Sequence, residues 1–411
     1  MRAEPAGRPQ LVVSAACRQN VGMARILVGV TGGIAAYKAC ELVRLLVKAG
    51  HDVAPLVTDG ADRFVRRETF FALARREPRE DLYAHLTRAD LYVIAPLTAN
   101  TLGKLAHGIA DNLVTEAALA HRGPLLVAPA MNPRMWASPA VQANVAAIRA
   151  RGVELVGPDE GEMAEGEWGV GRMSEPEEIF EACAALLAKR EQLHGRRVLV
   201  TAGGTREPLD DVRFVGNRSS GRMGVALAEE ARRRGADVTL VAANLAVPAP
   251  GGVELVEAPT AAQVEREVMS RASDADVVMM AAAVADYRPA EVVAGKRGKE
   301  RAHWTLELEP TTDVLRALGE RGDGPLLVGF AAESGGGIDR ARQKLTDKKA
   351  NLVVFNDVSR EDIGFDAEEN EVMLVGRDGE RRIEKAPKRV VAGAILDEVA
   401  RLLEEADGRG R

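Results

Sequence analysis

Short β-branched apolar runs alternate along this chain with stretches whose apolar residues recur at helical spacing, the pattern of parallel sheets flanked by helices. In the first half the runs predict strands over 26–30, 52–57, 91–95 and 125–128, with a helix over 34–49 between the first two. An amphipathic helix over 175–192 closes this half. Charged Lys189-Arg190-Glu191 then leads to Gly195, which places a domain boundary at residue 190. The second half repeats the alternation, with strands over 198–201, 238–242, 277–282, 326–330 and 352–355. Helices start near Gly221, Thr260, Thr312 and Asp339. A strand over 372–375, a turn at Arg377-Asp378-Gly379 and a helix over 387–405 complete the pattern. The expected architecture is two doubly wound α/β domains in series, 23–190 and 191–411, the second with an appended hairpin.

A length of 411 residues exceeds one core of ordinary size and agrees with two domains. Lys and Arg number 55 against 61 Asp and Glu, a net charge of -6 that points to neither nucleic acid nor an anionic membrane as a bulk partner. Three widely spaced cysteines, Cys17, Cys40 and Cys183, make neither a disulfide framework nor a metal cluster, and a reducing cytoplasm suits them. No apolar run reaches the roughly 18 residues of a spanning helix. Residues 1–22 superficially resemble a secretory signal, but the apolar stretch is short and preceded by Pro5 and Pro9. A disordered extension, or a start at Met23, fits better.

Two turns carry candidate chemistry. Arg25-Ile-Leu-Val-Gly-Val-Thr-Gly-Gly33 and Arg197-Val-Leu-Val-Thr-Ala-Gly-Gly204 each follow an apolar strand, and glycines there let a ligand approach the backbone beside a helix start that favours anions. Gly32 and Gly33 in one turn, Gly203 and Gly204 in the other, are the positions concerned; a tight strand-to-helix turn without ligand is the plain alternative. Neither has the Gly-x-Gly-x-x-Gly spacing of a dinucleotide oxidoreductase. The loops Pro96-Leu-Thr-Ala-Asn100 and Pro129-Ala-Met-Asn132 leave strand ends, where open α/β folds bind ligands. His194 and His303 lack metal-ligand spacing.

Gly32-Gly-Ile-Ala-Ala-Tyr-Lys38, Ala95-Pro-Leu-Thr-Ala-Asn-Thr101, Ala110-Asp-Asn-Leu113 and Pro129-Ala-Met-Asn-Pro-Arg-Met-Trp136 resemble the flavin-dependent cysteine decarboxylases of the phosphopantothenoylcysteine type. Thr201-Ala-Gly-Gly-Thr-Arg-Glu-Pro-Leu-Asp210, Asn217-Arg-Ser-Ser-Gly221, Ala281-Ala-Ala-Val-Ala-Asp-Tyr287, Gly329-Phe-Ala-Ala-Glu333 and Asn356-Asp357 resemble phosphopantothenate-cysteine ligase. In this order, over 23–405, they are similar to the bacterial bifunctional coenzyme A biosynthesis family. The resemblance implies a flavodoxin-like decarboxylase joined to a Rossmann-like synthetase. It also implies FMN in the first domain, for whose phosphate and ribityl chain Thr31, Gly32, Gly33, Thr98 and Asn100 offer hydroxyl, amide and bare-backbone contacts.

Asn132 is similar to the family's substrate-carboxylate residue, a neutral amide that holds a carboxylate without a salt bridge opposing CO2 loss; capping of the next segment is its other reading. His85, in a shortened segment, is the candidate for the catalytic histidine, or else a surface or helix-capping residue. The family's lid Cys is replaced by Glu165, which donates a proton only if burial raises its pKa toward neutrality. Residues 160–167, with Gly161 and Gly166, read as a mobile flap.

For the ligase the resemblance implies 4'-phosphopantothenate, cysteine and CTP as substrates with Mg2+ alongside, and phosphopantothenoylcysteine passed on for decarboxylation. Lys296 and Lys348 match its nucleotide lysines. Lys344 lies four residues before Lys348 on the same helix face, for which a solvated basic face is the alternative. Asp286 matches the cytidine-side acid and Phe330 the base-contacting aromatic. Asn217 matches the residue that stabilises the acyl-nucleotide, before a phosphate seat at Ser219 and Ser220. A homo-oligomer is implied, from decarboxylase trimers and ligase dimers up to a dodecamer. The alternative is a ligase whose first half is only a flavin-binding oligomerisation scaffold.

Overall fold

The computed structural model describes residues 23–77, 88–164, 166–298, 304–322, 324–333, 338–357 and 367–409. The extension 1–22, His85 and Glu165, each singled out by sequence, lie outside the described residues. The chain divides into two units, Met1–Glu191 and Gln192–Arg411.

In the first unit, β1 (Arg25–Val30), α1 (Ala36–Lys48), β2 (Asp52–Val57), α2 (Asp59–Asp62) and α3 (Arg67–Leu73) lead to β3 (Leu91–Leu97). Then come α4 (Ala99–His107), α5 (Leu113–Ala120), β4 (Leu125–Pro129), α6 (Pro133–Trp136), α7 (Pro139–Ala150) and β5 (Glu154–Leu155). A hairpin of β6 (Asp159–Glu162) and β7 (Trp168–Arg172) precedes α8 (Pro176–Glu191). The sheet is parallel in the order β2-β1-β3-β4-β5, the flavodoxin-like arrangement. Alternation along β1 sorts the core into two layers. Ile26, Val28 and Val30 pack under Leu42 of α1 and Ile179 of α8, while Leu27 joins Tyr92, Leu102 of α4 and Val145 of α7 on the other face.

The second unit opens with β8 (Arg197–Gly203), a pair of short strands β9 (Arg206–Pro208) and β10 (Phe214–Gly216), then α9 (Arg222–Arg233), β11 (Asp237–Ala243), β12 (Glu254–Glu257) and α10 (Ala261–Arg271). It continues through β13 (Val277–Met280), β14 (Tyr287–Pro289), β15 (Leu308–Pro310), α11 (Val314–Glu320), β16 (Leu326–Glu333), α12 (Ile338–Asp347) and β17 (Leu352–Asp357). The end is β18 (Glu369–Gly376), β19 (Gly379–Pro387) and α13 (Lys388–Arg409). Six parallel strands in the order β12-β11-β8-β13-β16-β17 make the Rossmann-like sheet, and β18 and β19 extend it antiparallel as the expected hairpin. Val198, Val200 and Ala202 face α9 and α13; Leu199 and Val241 face α10 and α11.

Three boundaries differ from the sequence reading for local reasons. The first helix begins at Ala36 rather than Ile34, because Gly32–Ala35 form the turn itself. The strand expected over 277–282 stops at Met280, where the chain crosses toward β8 and Ala283 N donates to Gly203 O at 2.8 Å. α12 ends at Asp347, so Lys348 sits in the turn beyond it, its amide still bonded to Lys344 O at 3.0 Å.

Candidate active sites

The switch point of the first sheet lies between β1 and β3, where open parallel sheets leave a crevice at their carboxyl ends. Thr31 and Thr98 fasten its two walls. Thr31 Oγ1 donates to Pro96 O at 2.6 Å and accepts from Thr98 N at 3.2 Å, and Thr98 caps α4 by accepting from Thr101 N at 3.4 Å. This corrects the expectation that Thr31 meets the ligand, because its side chain is 1% exposed and its hydroxyl is spent between the loops. Gly32 is required by close approach, since a Cβ there would lie 2.8 Å from the Gly60 backbone. Among the described residues the amides of Gly32, Gly33, Ile34 and Ala35 have no acceptor, and exposed Asn100 stands in the first turn of α4. Four backbone donors and an amide fit the phosphate end of a flavin mononucleotide.

Asn132 caps the next segment, the plainer of its two sequence readings. Its Oδ1 caps α6 by accepting from Arg134 N at 2.9 Å, which turns the donor side of the amide outward. That Nδ2 donates to Glu167 at 2.7 Å, and Arg134 Nε donates to the same carboxylate at 2.8 Å. The two hydrogen bonds hold Glu167 below the ordinary carboxylate range. Glu167 belongs to the turn of the β6–β7 hairpin, the segment read as a flap, and Met131 N donates to Gly171 O at 3.0 Å along its edge. Lys38, buried on α1, ties down the hairpin's exit by donating to Met173 O at 3.1 Å and pairing with Glu175 at 3.0 Å. Sequence reasoning missed Glu167 and Lys38; a carboxylate two residues before the Gly-rich Gly169-Val-Gly171 was the available signal. Neither described thiol offers a substitute for a lid cysteine. Burial pushes Cys183 up to about 12 inside α8, and burial also raises Cys40 in α1.

The second sheet turns over between β8 and β13. Gly203 has φ +90°, and a Cβ there would sit 1.9 Å from Ala243 O; Gly204, bridged to Ala283, is buried beside it. Both glycines therefore pack backbone on backbone. Asn217 is exposed, and its Nδ2 donates to Val284 O at 3.0 Å, so it bridges the β10 exit to the chain leaving β13. Gly221 is the N-cap of α9, Ser219 Oγ accepts from Gly221 N at 3.3 Å, and Ser220 is buried.

Asp286 is exposed after β13, and Thr311 N donates to its carbonyl at 2.9 Å. Two residues on, Asp313 caps α11 and pairs with Lys348. Desolvation pulls Asp313 upward, but Lys348 and the Arg316 amide outweigh it and leave its pKa lowered. Lys344 Nζ donates to the carbonyl of half-buried Phe330 at 2.6 Å. Contacts thus join Asn217 to the chain leaving β13, Lys348 to the cap of α11, and Lys344 to the middle of β16. Lys296 stands on a separate loop, exposed and without an ion pair among the described residues. No group of three or more His, Cys, Asp or Glu side chains that could hold a metal occurs among the described residues, and no described helix is long and apolar enough to cross a membrane.

A flavodoxin-like unit with free backbone amides at its switch point, followed by a Rossmann-like unit with lysines set against α11 and β16, defines a two-domain α/β enzyme of the flavin-handling class. Residues 14–188 match the Flavoprotein family model, and residues 193–403 match the DNA/pantothenate metabolism flavoprotein C-terminal domain. The Coenzyme A biosynthesis bifunctional protein CoaBC of Mycolicibacterium smegmatis is 43% identical over 410 residues, covering 93% of this chain and 99% of that protein. That of Bacillus subtilis is 40% identical over 399 residues, covering 93% and 98%. The crystal structure of the C-terminal domain of Coenzyme A biosynthesis bifunctional protein CoaBC aligns at 39% identity and TM-score 0.46, over 52% of this chain and 99% of that one. The chain belongs to the family of coenzyme A biosynthesis bifunctional proteins, and is a flavoprotein that joins a ligase to a decarboxylase.

Proposed function

We propose that the second unit condenses 4'-phosphopantothenate with cysteine at the expense of CTP, and that the first decarboxylates the product on FMN. In the ligase half the substrate carboxylate attacks the α-phosphorus of CTP, giving an acyl-cytidylate and pyrophosphate. The amine of cysteine then displaces CMP and forms phosphopantothenoylcysteine. Lys296 and Lys348 oppose the charge that grows on the leaving pyrophosphate, with Mg2+ arriving on the nucleotide. Asn217 holds the acyl-cytidylate, Asp286 the cytidine side, and Phe330 the base.

In the decarboxylase half the Gly32–Ala35 amides, Thr98 and Asn100 hold FMN, which when bound supplies oxidation of the cysteinyl thiol and its later reversal. Asn132 Nδ2 holds the substrate carboxylate. Because this donor is neutral, it orients the carboxylate while stabilising its charge less than a cation would, so CO2 leaves without breaking an ion pair. His85 is the base and Glu165 the proton donor of the closing reduction. The observation that carries this half is the Asn132 amide, whose acceptor is spent on its own helix and whose donor already meets a carboxylate. The cytoplasm and a homo-oligomer, of decarboxylase trimers and ligase dimers, complete the reading.

The test is to supply the purified full chain with phosphopantothenate, cysteine, CTP and Mg2+. A yellow protein that releases pyrophosphate, then CO2, and yields 4'-phosphopantetheine is the expected result. A yellow protein that stops at phosphopantothenoylcysteine would instead favour the flavin-binding scaffold, the reading to which the replacement of the lid Cys by Glu165 lends weight. Glu165→Gln is expected to halt the reaction at the oxidised, decarboxylated product, whereas Glu165→Cys should restore the reduction at higher pH, where a carboxyl has lost its proton. Formation of phosphopantetheine by Glu165→Gln at the wild-type rate would assign that proton elsewhere.

A further inference from the structure

We propose that Asp210 is the positioning residue for Lys296, an inference that rests on reading Lys296 as a nucleotide cation. A lysine on an exposed loop has a long, freely rotating stem, so its amine can be aimed only if the backbone beneath it is fixed. Asp210 fixes it. The side chain of Asp210 is wholly buried, and its two oxygens divide the work. Oδ1 accepts from Val212 N at 2.8 Å and Arg213 N at 2.7 Å, closing the turn to which Asp210 itself belongs. Oδ2 reaches outward, accepting from Arg213 Nη1 at 2.8 Å and from the amide of Arg297, the residue after Lys296, at 3.3 Å.

The same guanidinium completes the clamp, since Arg213 Nη1 donates to Arg297 O at 3.1 Å. Both backbone polar groups of Arg297 are therefore held by the Asp210–Arg213 pair. On its N-terminal side the chain is pinned to the same turn, with Asp211 N donating to Gly295 O at 3.3 Å and Val293 N to Leu209 O at 3.0 Å. The Arg297 and Arg213 guanidinium groups lie 4.6 Å and 5.7 Å from the centroid of the Trp304 ring. Removal from water by itself would favour the neutral acid, but the three backbone amides and Arg213 hold Asp210 below the ordinary carboxylate range. The clamp is thus an anion at neutral pH, and it holds the loop at the residue after Lys296.

Because the two oxygens have separate tasks, one substitution divides them. In Asp210→Asn the remaining oxygen keeps the turn, while the new NH2 group confronts the donors of Arg297 and Arg213 and releases the Lys296 loop. Pyrophosphate release should slow by about 10- to 100-fold, as expected when a charged group is misplaced rather than removed. The phosphopantothenate KM should change far less. In a Lys296→Gln background the same substitution should cost nothing further, because the residue it positions has gone. Hydrogen exchange should accelerate at the Arg297 amide and stay slow at Val212 and Arg213.

Wild-type turnover by Asp210→Asn would overturn the proposal, as would a full additional loss in the Lys296→Gln background, the mark of a merely structural carboxylate. Fast exchange of the Arg297 amide in the folded wild-type protein would overturn it without any variant. If Lys296→Gln itself releases pyrophosphate at the wild-type rate, the reading of Lys296 fails and takes this one with it. An unimpaired Asp210→Asn beside an impaired Lys296→Gln refutes the clamp alone.

Discussion

Asn132→Asp is expected to lower CO2 release by about 10³-fold, because a like charge set against the substrate carboxylate costs several kcal/mol and each 1.4 kcal/mol is a factor of about ten. The substitution keeps the size of the side chain and its acceptor for Arg134 N, so α6 should stay capped. What disappears is the donor that now faces Glu167 at 2.7 Å. Pyrophosphate release, which belongs to the second unit, should be unchanged and serves as the internal control. Rapid-quench measurement of CO2 under single turnover separates the chemical step from binding. A variant that decarboxylates within a few-fold of wild type would show that the Asn132 amide only caps its helix.

Lys296→Gln is expected to slow pyrophosphate release by about 100-fold, the scale seen when one preorganised electrostatic group is removed from a transition state. Lys296 has no ion pair among the described residues, so its loss strands no buried partner and should leave the melting temperature alone. Lys348→Gln should move in the same direction but carry an extra cost. It would leave the half-exposed Asp313 carboxylate without the ammonium that lowers its pKa, and that variant should lose a little stability as well. Unchanged pyrophosphate release in both would sink the assignment of cations to the nucleotide.

The strands most easily read were those whose neighbours bury them on both faces. β1 and β8 are continuous apolar runs because helices cover both sides of their sheets, and such runs announce themselves. The edge strand β12 did not, since Glu254 and Glu257 make an exposed edge polar. The two-stranded pairs β9–β10 and β14–β15 were also missed, their strands being only three residues long. Among site residues, Asn217 and Asp286 lie beside the chain leaving β13 and Lys296 on a separate loop, but the partners of the site residues were not legible. Glu167, Asp210, Asp313 and the Val284 carbonyl act across 35, 87, 35 and 67 residues of sequence, and no local pattern encodes such a pairing. The glycines show how little a turn motif specifies. A Gly-rich turn signals that something comes close, and at Gly203 one close neighbour is Ala243 of the adjacent strand.

The contact between Glu167 and Asn132 also sets a threshold for what the first unit will accept. Under the proposed function a substrate carboxylate must evict a rival that is tethered to the protein, whose effective concentration is on the order of millimolar for a short flexible connection. Phosphopantothenoylcysteine can meet that demand, because its phosphate and pantothenoyl arm bring binding energy from elsewhere. Free cysteine cannot. It carries the same thiol and carboxylate, and the second unit needs it as a substrate, yet it has nothing besides the carboxylate with which to displace Glu167. The latch therefore acts as a filter against the smaller molecule, sparing the amino acid on which the preceding reaction depends.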